Sequence, residues 1–378
     1  MSKIERQELI REIERIRGTR VLVYVTGDRS PVGANIGDDA VRPIIQHLRS
    51  MGAVDLLDVF IYSRGGAIDV PWRLNSAFRH TAGRWDALVP FRANSAATLL
   101  CLGANTIVLG PQGELGPIDP IMNFSGQGPS GPIQHDVSVE DIMAFPKFAA
   151  ERFGLKNETS NAAALNKLVE RLDAVMLGSA YRTHSHIRYL ADQMLRSRGD
   201  GMTDDTIAAI VKTLAEDVFA HGHAVGMKEA KRIGLPVESP SVELDAAMWA
   251  LLEAYEVDLK LLQPIDPFAA IQDQERSQEE VTTGAIDSTS LSHEFRGALR
   301  ISAQRAMPQS LTVNLNMPLQ LPPGLDPTQL PAEMGQMLQQ LQDSLLQIAQ
   351  NSVGEALKAQ ATLTGLDVRL VGAGWREV

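Results

Sequence analysis

Residues 86–120 read DALVPFRANSAATLLCLGANTIVLGPQGELGPIDP, and their order decides the fold. An apolar run at 87–91 stops at Arg92-Ala93-Asn94. Ser95 follows, then the small residues Ala96 and Ala97, then apolar residues up to Gly103. A second apolar run, 106–109, comes after a short break. The pattern reads strand, sharp turn, helix, strand. Ser95 falls at the first turn of the helix, where backbone N–H groups have no partner within the helix. Small residues behind it let the helix pack close to the turn and leave the hydroxyl accessible. An exposed nucleophile on a strand-to-helix elbow needs this placement, although the sequence is not G-x-S-x-G.

The matching half lies about thirty residues upstream. Residues 56–62 (LLDVFIY) form an apolar, β-branched and aromatic strand that ends in Ser63-Arg64-Gly65-Gly66. Paired glycines at a strand end permit positive φ and close approach of backbone to a ligand. Their N–H groups are candidates to hold a developing oxyanion. Most Gly-Gly pairs are plain turns, so this element gains meaning only beside the strand-Ser-helix that follows it.

Around these two elements the chain alternates. Residues 21–26 read as a strand, 38–51 as a helix in spite of Pro43, and 68–81 as a helix with Asp69 in its first turn. Strand and helix therefore repeat through 19–110, which favours a parallel sheet covered by helices, an α/β fold. Residues 123–136 (NFSGQGPSGPIQHD) read as a mobile loop. Ser138-Val139-Glu140-Asp141 opens a helix with acidic residues suited to its N-terminus. Helical spacing runs through 162–195 and 203–219.

Composition excludes several classes. A chain of 378 residues with 44% apolar and 21% charged residues can bury a sizeable core, and its length suggests about two domains. A net charge of −11 argues against nucleic acid or an anionic membrane as partner. The single cysteine, Cys101, cannot form an internal disulfide, fits a reducing compartment and reads as core packing. Residues 2–17 form a charged amphipathic helix rather than a secretory or transit segment. The longest apolar stretch, 95–110, is broken by Thr98, Gly103, Asn105, Thr106 and Gly110, so no membrane span and a cytoplasmic location are expected.

Four segments carry a family resemblance: ELIREIERIRGTRVLVYVTGD at 8–28, IYSRGG at 61–66, ANSAATLLCLGANTIVLGPQGELGPIDP at 93–120, and HGHAVGMKEAKRIGLPV at 221–237. Together they resemble serine peptidases of the Clp/crotonase superfamily. Within it they are most similar to the serine dehydrogenase proteinase family, relatives of signal peptide peptidase A and of the Clp protease subunit. The resemblance spans residues 7–258. It implies a spiral of parallel-rich stacked sheets with peripheral helices. It also implies hydrolysis of a peptide bond in a peptide or protein substrate. Ser95 would be the nucleophile, with Gly65, Gly66 and Ala96 around the oxyanion. No cofactor or metal is implied. Homo-oligomerisation is expected, and any ATP-driven unfolding needs a separate partner.

The general base stays open. A serine hydroxyl needs one. The Clp subunit takes it from a histidine soon after the serine, but here that neighbourhood reads LGPIDP, without histidine. Signal peptide peptidase A relatives use a lysine at an offset similar to that of Lys147, 52 residues beyond Ser95 (147 − 95). A buried lysine with a depressed pKa serves as a base. His221 and His223 are the rivals, because the segment before EAKRIGL lies near the third triad member in Clp-type proteins. His184 and His186, two apart on a helix, face different ways and make a poor metal pair. Two further readings stay open: a crotonase-type acyl-CoA enzyme using the same oxyanion pair, and a catalytically silent scaffold that binds peptides or a partner.

The domains expected are 1–264 as the catalytic domain, 265–292 as a polar linker, and 293–378 as a C-terminal extension with strands and an amphipathic helix. In that helix Met334, Leu338, Leu341, Leu345 and Ile348 recur at heptad spacing, which suits either a core helix or a subunit contact.

Overall fold

The computed structural model describes residues 3–118, 121–128, 131–172, 174–217, 222–271, 274–306 and 332–378. The chain divides into two units. One holds Met1–Ile265, Glu280–Ala298 and Leu370–Val378; the other holds Asp266–Glu279 and Leu299–Arg369.

The first unit is built on β1 (Arg20–Thr26), β2 (Val54–Tyr62), β3 (Ala82–Val89), β5 (Ile107–Leu109) and β10 (Val237–Glu238). Neighbours in the order β10-β5-β3-β2-β1 all pair in parallel. Six of the seven residues of β1 (RVLVYVT) are buried, the near-continuous apolar run of a strand covered on both faces. Register sorts the side chains into rows. Val23, Phe60, Leu88 and Val108 are successive partners across the sheet. They join one apolar cluster with α1 (Lys3–Arg17) and α10 (Val242–Asp258), through Ile10, Ile13, Met248 and Leu251. The adjacent row, Leu22, Val59, Ala87, Ile107 and Val237, faces the other way. It joins a second cluster with α2 (Val41–Met51), α3 (Val70–Thr81), α4 (Ala96–Cys101), α7 (Ala174–Arg196) and α8 (Asp204–Lys212). The period of two along each strand thus creates two cores, and helices close both. The fold class is α/β, as expected. Pro43 sits in the first turn of α2, where its missing N–H costs nothing. Cys101 is fully buried in α4, and burial pushes its thiol up to about 12.

A smaller sheet has the order β4-β6-β9, made of β4 (Arg92–Ala93), β6 (Glu114–Leu115) and β9 (Val225–Gly226). β4 is parallel to β6, and β6 is antiparallel to β9.

Two stretches differ from the sequence reading. Residues 123–136 are not a loop but a hairpin, β7 (Ile121–Gly128) paired antiparallel with β8 (Gly131–Ser138), with Phe124 opposite His135. It leads into α5 (Val139–Phe153), whose N-terminus is capped by Ser138 accepting from the Glu140 N–H at 3.1 Å. α6 (Glu158–Arg171) and α9 (Met227–Ile233) complete the helices of this unit. Part of the expected linker at 265–292 is a strand, β11 (Arg276–Asp287), antiparallel to β1 with Val23 opposite Asp287. Val281, Thr283, Ala285 and Ile286 are buried there. The polar residues that suggested a linker are confined to its start, and Asp287 is buried by pairing. It accepts from Arg6 Nε at 2.9 Å and from the Tyr255 hydroxyl at 2.6 Å. β12 (Ser292–Ala306) and β13 (Thr362–Glu377) follow in the sheet order. Trp375, near the end of β13, packs within the first unit at a tilt against Tyr24 and edge-on against Phe295, at 6.1 and 5.3 Å between ring centres.

The second unit contains α11 (Pro267–Ile271) and α12 (Ala332–Gln360). Arg305 ties it together, donating to Glu275 and to the Ala361 carbonyl, both at 2.9 Å. On α12 Met337, Leu341, Leu345 and Ile348 are exposed. The side chains of Met334 and Leu338 lie outside the described residues. Among the described residues no helix is long and apolar enough to cross a membrane.

A histidine pair gives the first unit a pH signature. His47 on α2 is fully buried; its Nδ1 lies 2.8 Å from the Ser288 hydroxyl and its Nε2 lies 3.1 Å from His293 Nδ1. Burial, then the neighbouring His293, pushes His47 down to about 3, and burial lowers His293 as well. Asp287, Glu377 and Lys3 are the charges acting on His293. The unfolded chain therefore binds more protons than the folded one below the ordinary histidine value. Stability is complete above about pH 6.5 and falls as the pH drops towards 3, by up to about 1.4 kcal/mol per pH unit for each such histidine. Urea unfolding between about pH 4.5 and 6.5 should show this slope, and His47→Gln should flatten it. An equal slope in both proteins would remove the histidines as its cause.

Candidate active site

Ser95 stands two residues after β4 and directly precedes α4, and its backbone has φ 52° and ψ −117°. Among the described residues only Ser95 and Lys260 combine a side chain with positive φ. Such a conformation costs roughly 1–3 kcal/mol and persists only where the surroundings impose it. Here the surroundings do so on both sides. The Asn94 N–H donates to the Ser63 carbonyl at 3.0 Å, and the Ala97 N–H donates to the Asn94 carbonyl at 2.9 Å. The Leu99 N–H donates to the Ser95 carbonyl at 2.9 Å. Every residue of α4 is buried, as the alanines and leucines of AATLLC require. The Thr98 hydroxyl donates to the Ala93 carbonyl at 2.6 Å and accepts from the Gly116 N–H at 2.9 Å. That bond draws Gly116 against the elbow. The side chain of Ser95 stays partly exposed.

The glycine pair wedges the elbow from the other side. Gly65 and Gly66 have φ of +113° and +151°, a region that side chains rarely adopt. A Cβ on Gly65 would lie 2.8 Å from Ser95 Cβ and 2.9 Å from the Asn94 carbonyl oxygen. A Cβ on Gly66 would lie 2.3 Å from the Ile36 carbonyl oxygen. Ile36 grips the turn through two backbone bonds of 2.8 Å, to the Gly65 carbonyl and from the Ala67 N–H. Beyond the turn Asp28 gathers Tyr62, at 2.8 Å from its hydroxyl, together with Arg64 and Arg92.

The fate of each N–H group matters for chemistry. The Gly65 N–H donates to Ser63 Oγ at 3.0 Å. The Gly66 and Ala96 N–H groups make no hydrogen bond among the described residues. Ala96 follows Ser95 in the chain and the Gly65-Gly66 turn abuts the elbow through Gly65, so both N–H groups are candidate donors to a bound oxygen.

The candidate bases are placed differently. Lys147 is exposed on α5, which packs on α6, α7 and β8; it makes no hydrogen bond with Ser95. The structure therefore does not give it a buried setting. His223 stands two residues before β9, just as Ser95 stands two residues after β4. Ala93 pairs with Leu115, and Leu115 pairs with Val225, so both chains leave the same end of the small sheet. His223 is exposed, and its Nε2 lies 2.9 Å from Glu229 Oε2 on α9. That bond, with Arg232, holds the Glu229 carboxyl below its ordinary value. His221, Asp119 and Pro120 lie outside the described residues. No side chain among the described residues hydrogen-bonds the Ser95 hydroxyl. His184 and His186 point to different partners, Glu140 at 3.5 Å and Asp69 at 2.8 Å.

Ser63, Thr26, Thr98 and Glu229 were not singled out by the sequence. Ser63 had a signal, since a serine two residues before a glycine can accept that N–H in a local turn. Glu229 had none, because its meeting with His223 depends on the turn between β9 and α9.

No family model matches the chain. Two uncharacterised proteins of Methanocaldococcus jannaschii are each 21% identical, over 260 and 258 residues, which is 67% of this chain and 79% and 77% of theirs. Among solved structures, the membrane-bound stomatin-specific protease 1510-N aligns with TM-score 0.35 and 13% identity, covering 56% of this chain and 78% of that one. ClpP1 of Listeria monocytogenes aligns with TM-score 0.33 and 12% identity, covering 61% and 98%. These structural neighbours are serine proteases. The serine dehydrogenase proteinase family rests on the motifs alone.

Thr98→Val tests the anchoring of the elbow. It keeps the shape but leaves the Ala93 carbonyl and the Gly116 N–H without their buried hydroxyl, a loss of about 1–3 kcal/mol. Urea denaturation should report that loss, and wild-type stability in the variant would show that the hydroxyl anchors nothing.

Proposed function

We propose that this chain is a serine peptidase of Clp/crotonase type that works through an acyl-enzyme. One observation carries the reading: Ser95 is held at positive φ with Gly65 against its Cβ, and the N–H groups of Ala96, next in the chain, and of Gly66, next after Gly65, have no partner among the described residues. A binding surface has no need of that strain, and a nucleophile presented at an elbow does. A crotonase-type enolate site would use the N–H pair but has no use for the hydroxyl. The choice of a peptide as substrate rests on the motif resemblance.

In the proposed mechanism Ser95 Oγ attacks the scissile carbonyl and gives its proton to a base. The negative oxygen that forms is held by the Gly66 and Ala96 N–H groups, in place before the charge develops. The intermediate collapses as the base passes the proton to the leaving amine, which yields an ester on Ser95. Water then attacks the ester, the base takes and returns a proton, and the acid product leaves with Ser95 restored. We assign the base to His223. It leaves the small sheet at the same end as Ser95, and Glu229 supplies the carboxylate that orients an imidazole. Lys147 and His221 are the rivals. A second reading, a silent scaffold that binds peptides, draws on the absence of a hydrogen-bonded base at the Ser95 hydroxyl among the described residues.

A fluorophosphonate probe should label the protein at Ser95, and Ser95→Ala should abolish the labelling. His223→Ala should lower peptide turnover by about 10²–10⁴-fold, the usual worth of a general base, with Lys147→Ala near wild type. The reverse pattern moves the role to Lys147, and loss only in His221→Ala moves it to His221. A protein that neither labels nor turns over any peptide supports the scaffold.

Assembly into a homo-oligomer that encloses Ser95 belongs to the same proposal, with unfolding of folded substrates left to a separate ATP-driven partner. The exposed Met337, Leu341, Leu345 and Ile348 of α12 supply the contact, since apolar area stabilises only where it is covered. Light scattering of the full-length chain should give a multiple of 41.1 kDa. Leu341→Glu with Leu345→Glu should lower that multiple. This pair is a cleaner probe than truncating the C-terminus, which would also remove Trp375 from the first unit. A full-length monomer at micromolar concentration contradicts the assembly.

A further inference from the structure

Ser63 is the joint through which the two halves of the site are fastened, and it makes four hydrogen bonds. Its N–H donates to the Arg92 carbonyl at 3.0 Å, and its carbonyl accepts from the Asn94 N–H at 3.0 Å. Both partners immediately precede the elbow, and Ser63 pairs with Ala93 as an isolated parallel bridge. Its hydroxyl oxygen accepts from the Gly65 N–H at 3.0 Å and from the Thr26 hydroxyl, at the end of β1, at 2.7 Å. Ser63 is 1% exposed and Thr26 is fully buried, so neither hydroxyl can exchange these partners for bulk water.

The geometry points to Ser63 as a positioning residue that decides which glycine N–H serves the oxyanion. The inference rests on the reading of Ser95 as a nucleophile. Two consecutive N–H groups, of Gly65 and Gly66, stand at the end of β2. Gly65 is pressed so close to the elbow that a Cβ there would lie 3.1 Å from the Ala96 nitrogen. If both N–H groups were free, the turn would have two ways to present a donor, and glycine carries no side chain to choose between them. Ser63 Oγ removes the choice by binding the Gly65 N–H. The peptide beyond it is then fixed by Ile36, and the Gly66 N–H is left without a partner. Thr26 holds the Ser63 hydroxyl in the rotamer that does this, so the donor is aligned from β1 as well as from β2. An oxyanion donor contributes most when it needs no reorganisation at the moment of reaction. The serine hydroxyl supplies that fixity without touching substrate.

The test uses the full-length protein and two readouts. The first is the rate of fluorophosphonate labelling at Ser95, whose tetrahedral adduct carries an oxygen in the oxyanion position. The second is amide hydrogen exchange at Gly65, which reports the Ser63 bond without any reaction. Ser63→Ala should slow labelling by about 10- to 100-fold, short of the roughly 10²–10³-fold that follows loss of a whole oxyanion donor. It should also speed exchange at Gly65, while exchange in the core of β1 and β2 stays slow. Peptide turnover should fall in kcat with KM little changed. Ser63→Thr, which keeps the hydroxyl, should recover most of the labelling rate. Wild-type labelling in Ser63→Ala, with the Gly65 amide deprotected, overturns the inference while leaving Ser95 as nucleophile. A wild-type protein that does not label at Ser95 overturns the underlying reading instead. If Ser63→Ala fails to fold, Thr26→Val carries the test. It should slow labelling with intact protection of the β1 and β2 core, and an unchanged rate counts against the inference.

Discussion

Ser95 holds a backbone conformation that an L-residue adopts only under duress, and the surrounding architecture is arranged to impose it. The duress comes from two sides. α4 is buried throughout, so the helix cannot slide to relax the turn. Gly65 stands where any side chain would collide with Ser95 Cβ. The elbow and the glycine turn therefore lock one another, and each is a condition for the other. Strain of this kind is stored where a site must be ready before substrate arrives. Its local cost is met by the packing of the sheet and helices around it.

The sheet explains how two turns separated by about thirty residues come to meet. β2 and β3 are parallel neighbours, with Phe60 opposite Leu88, so both strands end on the same side. Ser63 then pairs with Ala93, and β4 turns away to found the small sheet. Ligand sites in open parallel sheets lie at the carboxyl ends of the strands, and the Ser95 elbow follows that rule. β6 and β9 extend the small sheet until His223 leaves it at the end where Ser95 does. Arg17 bridges the buried carboxylates of Asp58 and Asp86 at 2.9 Å each, which ties β2 to β3 midway along their length.

Much of this was legible from the chain. The strands read at 21–26, 56–62 and 106–109 and the helices read at 38–51 and 68–81, observed as Val41–Met51 and Val70–Thr81, follow from apolar runs and periodicity. Ser95, Gly65 and Gly66 stood out because a strand ending in Gly-Gly is followed by a strand-Ser-helix elbow, a combination more specific than either element alone. Tertiary pairing hid the rest. β11 reads as a linker because Arg276, Gln278, Glu279 and Glu280 are polar, and only β1 beside it explains why 281–287 is buried. The hairpin β7–β8 was hidden by its own glycines. The base was the hardest to read. A lysine at the right offset and a histidine near the right motif look alike in a sequence, and only the structure places Lys147 in the open and pairs His223 with Glu229. Ser63 escaped because its importance lies in which N–H it occupies, a fact of geometry alone.

In the proposed reaction the Gly66 and Ala96 N–H groups face the oxygen that becomes negative when Ser95 attacks. A crystal structure of the phosphonylated protein tests it most directly. The account predicts a covalent bond from Ser95 Oγ to phosphorus, with one phosphonyl oxygen roughly 2.7–3.1 Å from both nitrogens. It also predicts that the Gly65 N–H remains on Ser63 Oγ. An adduct whose oxygen turns to solvent, or one held by the Gly65 N–H after it has left Ser63, would contradict it.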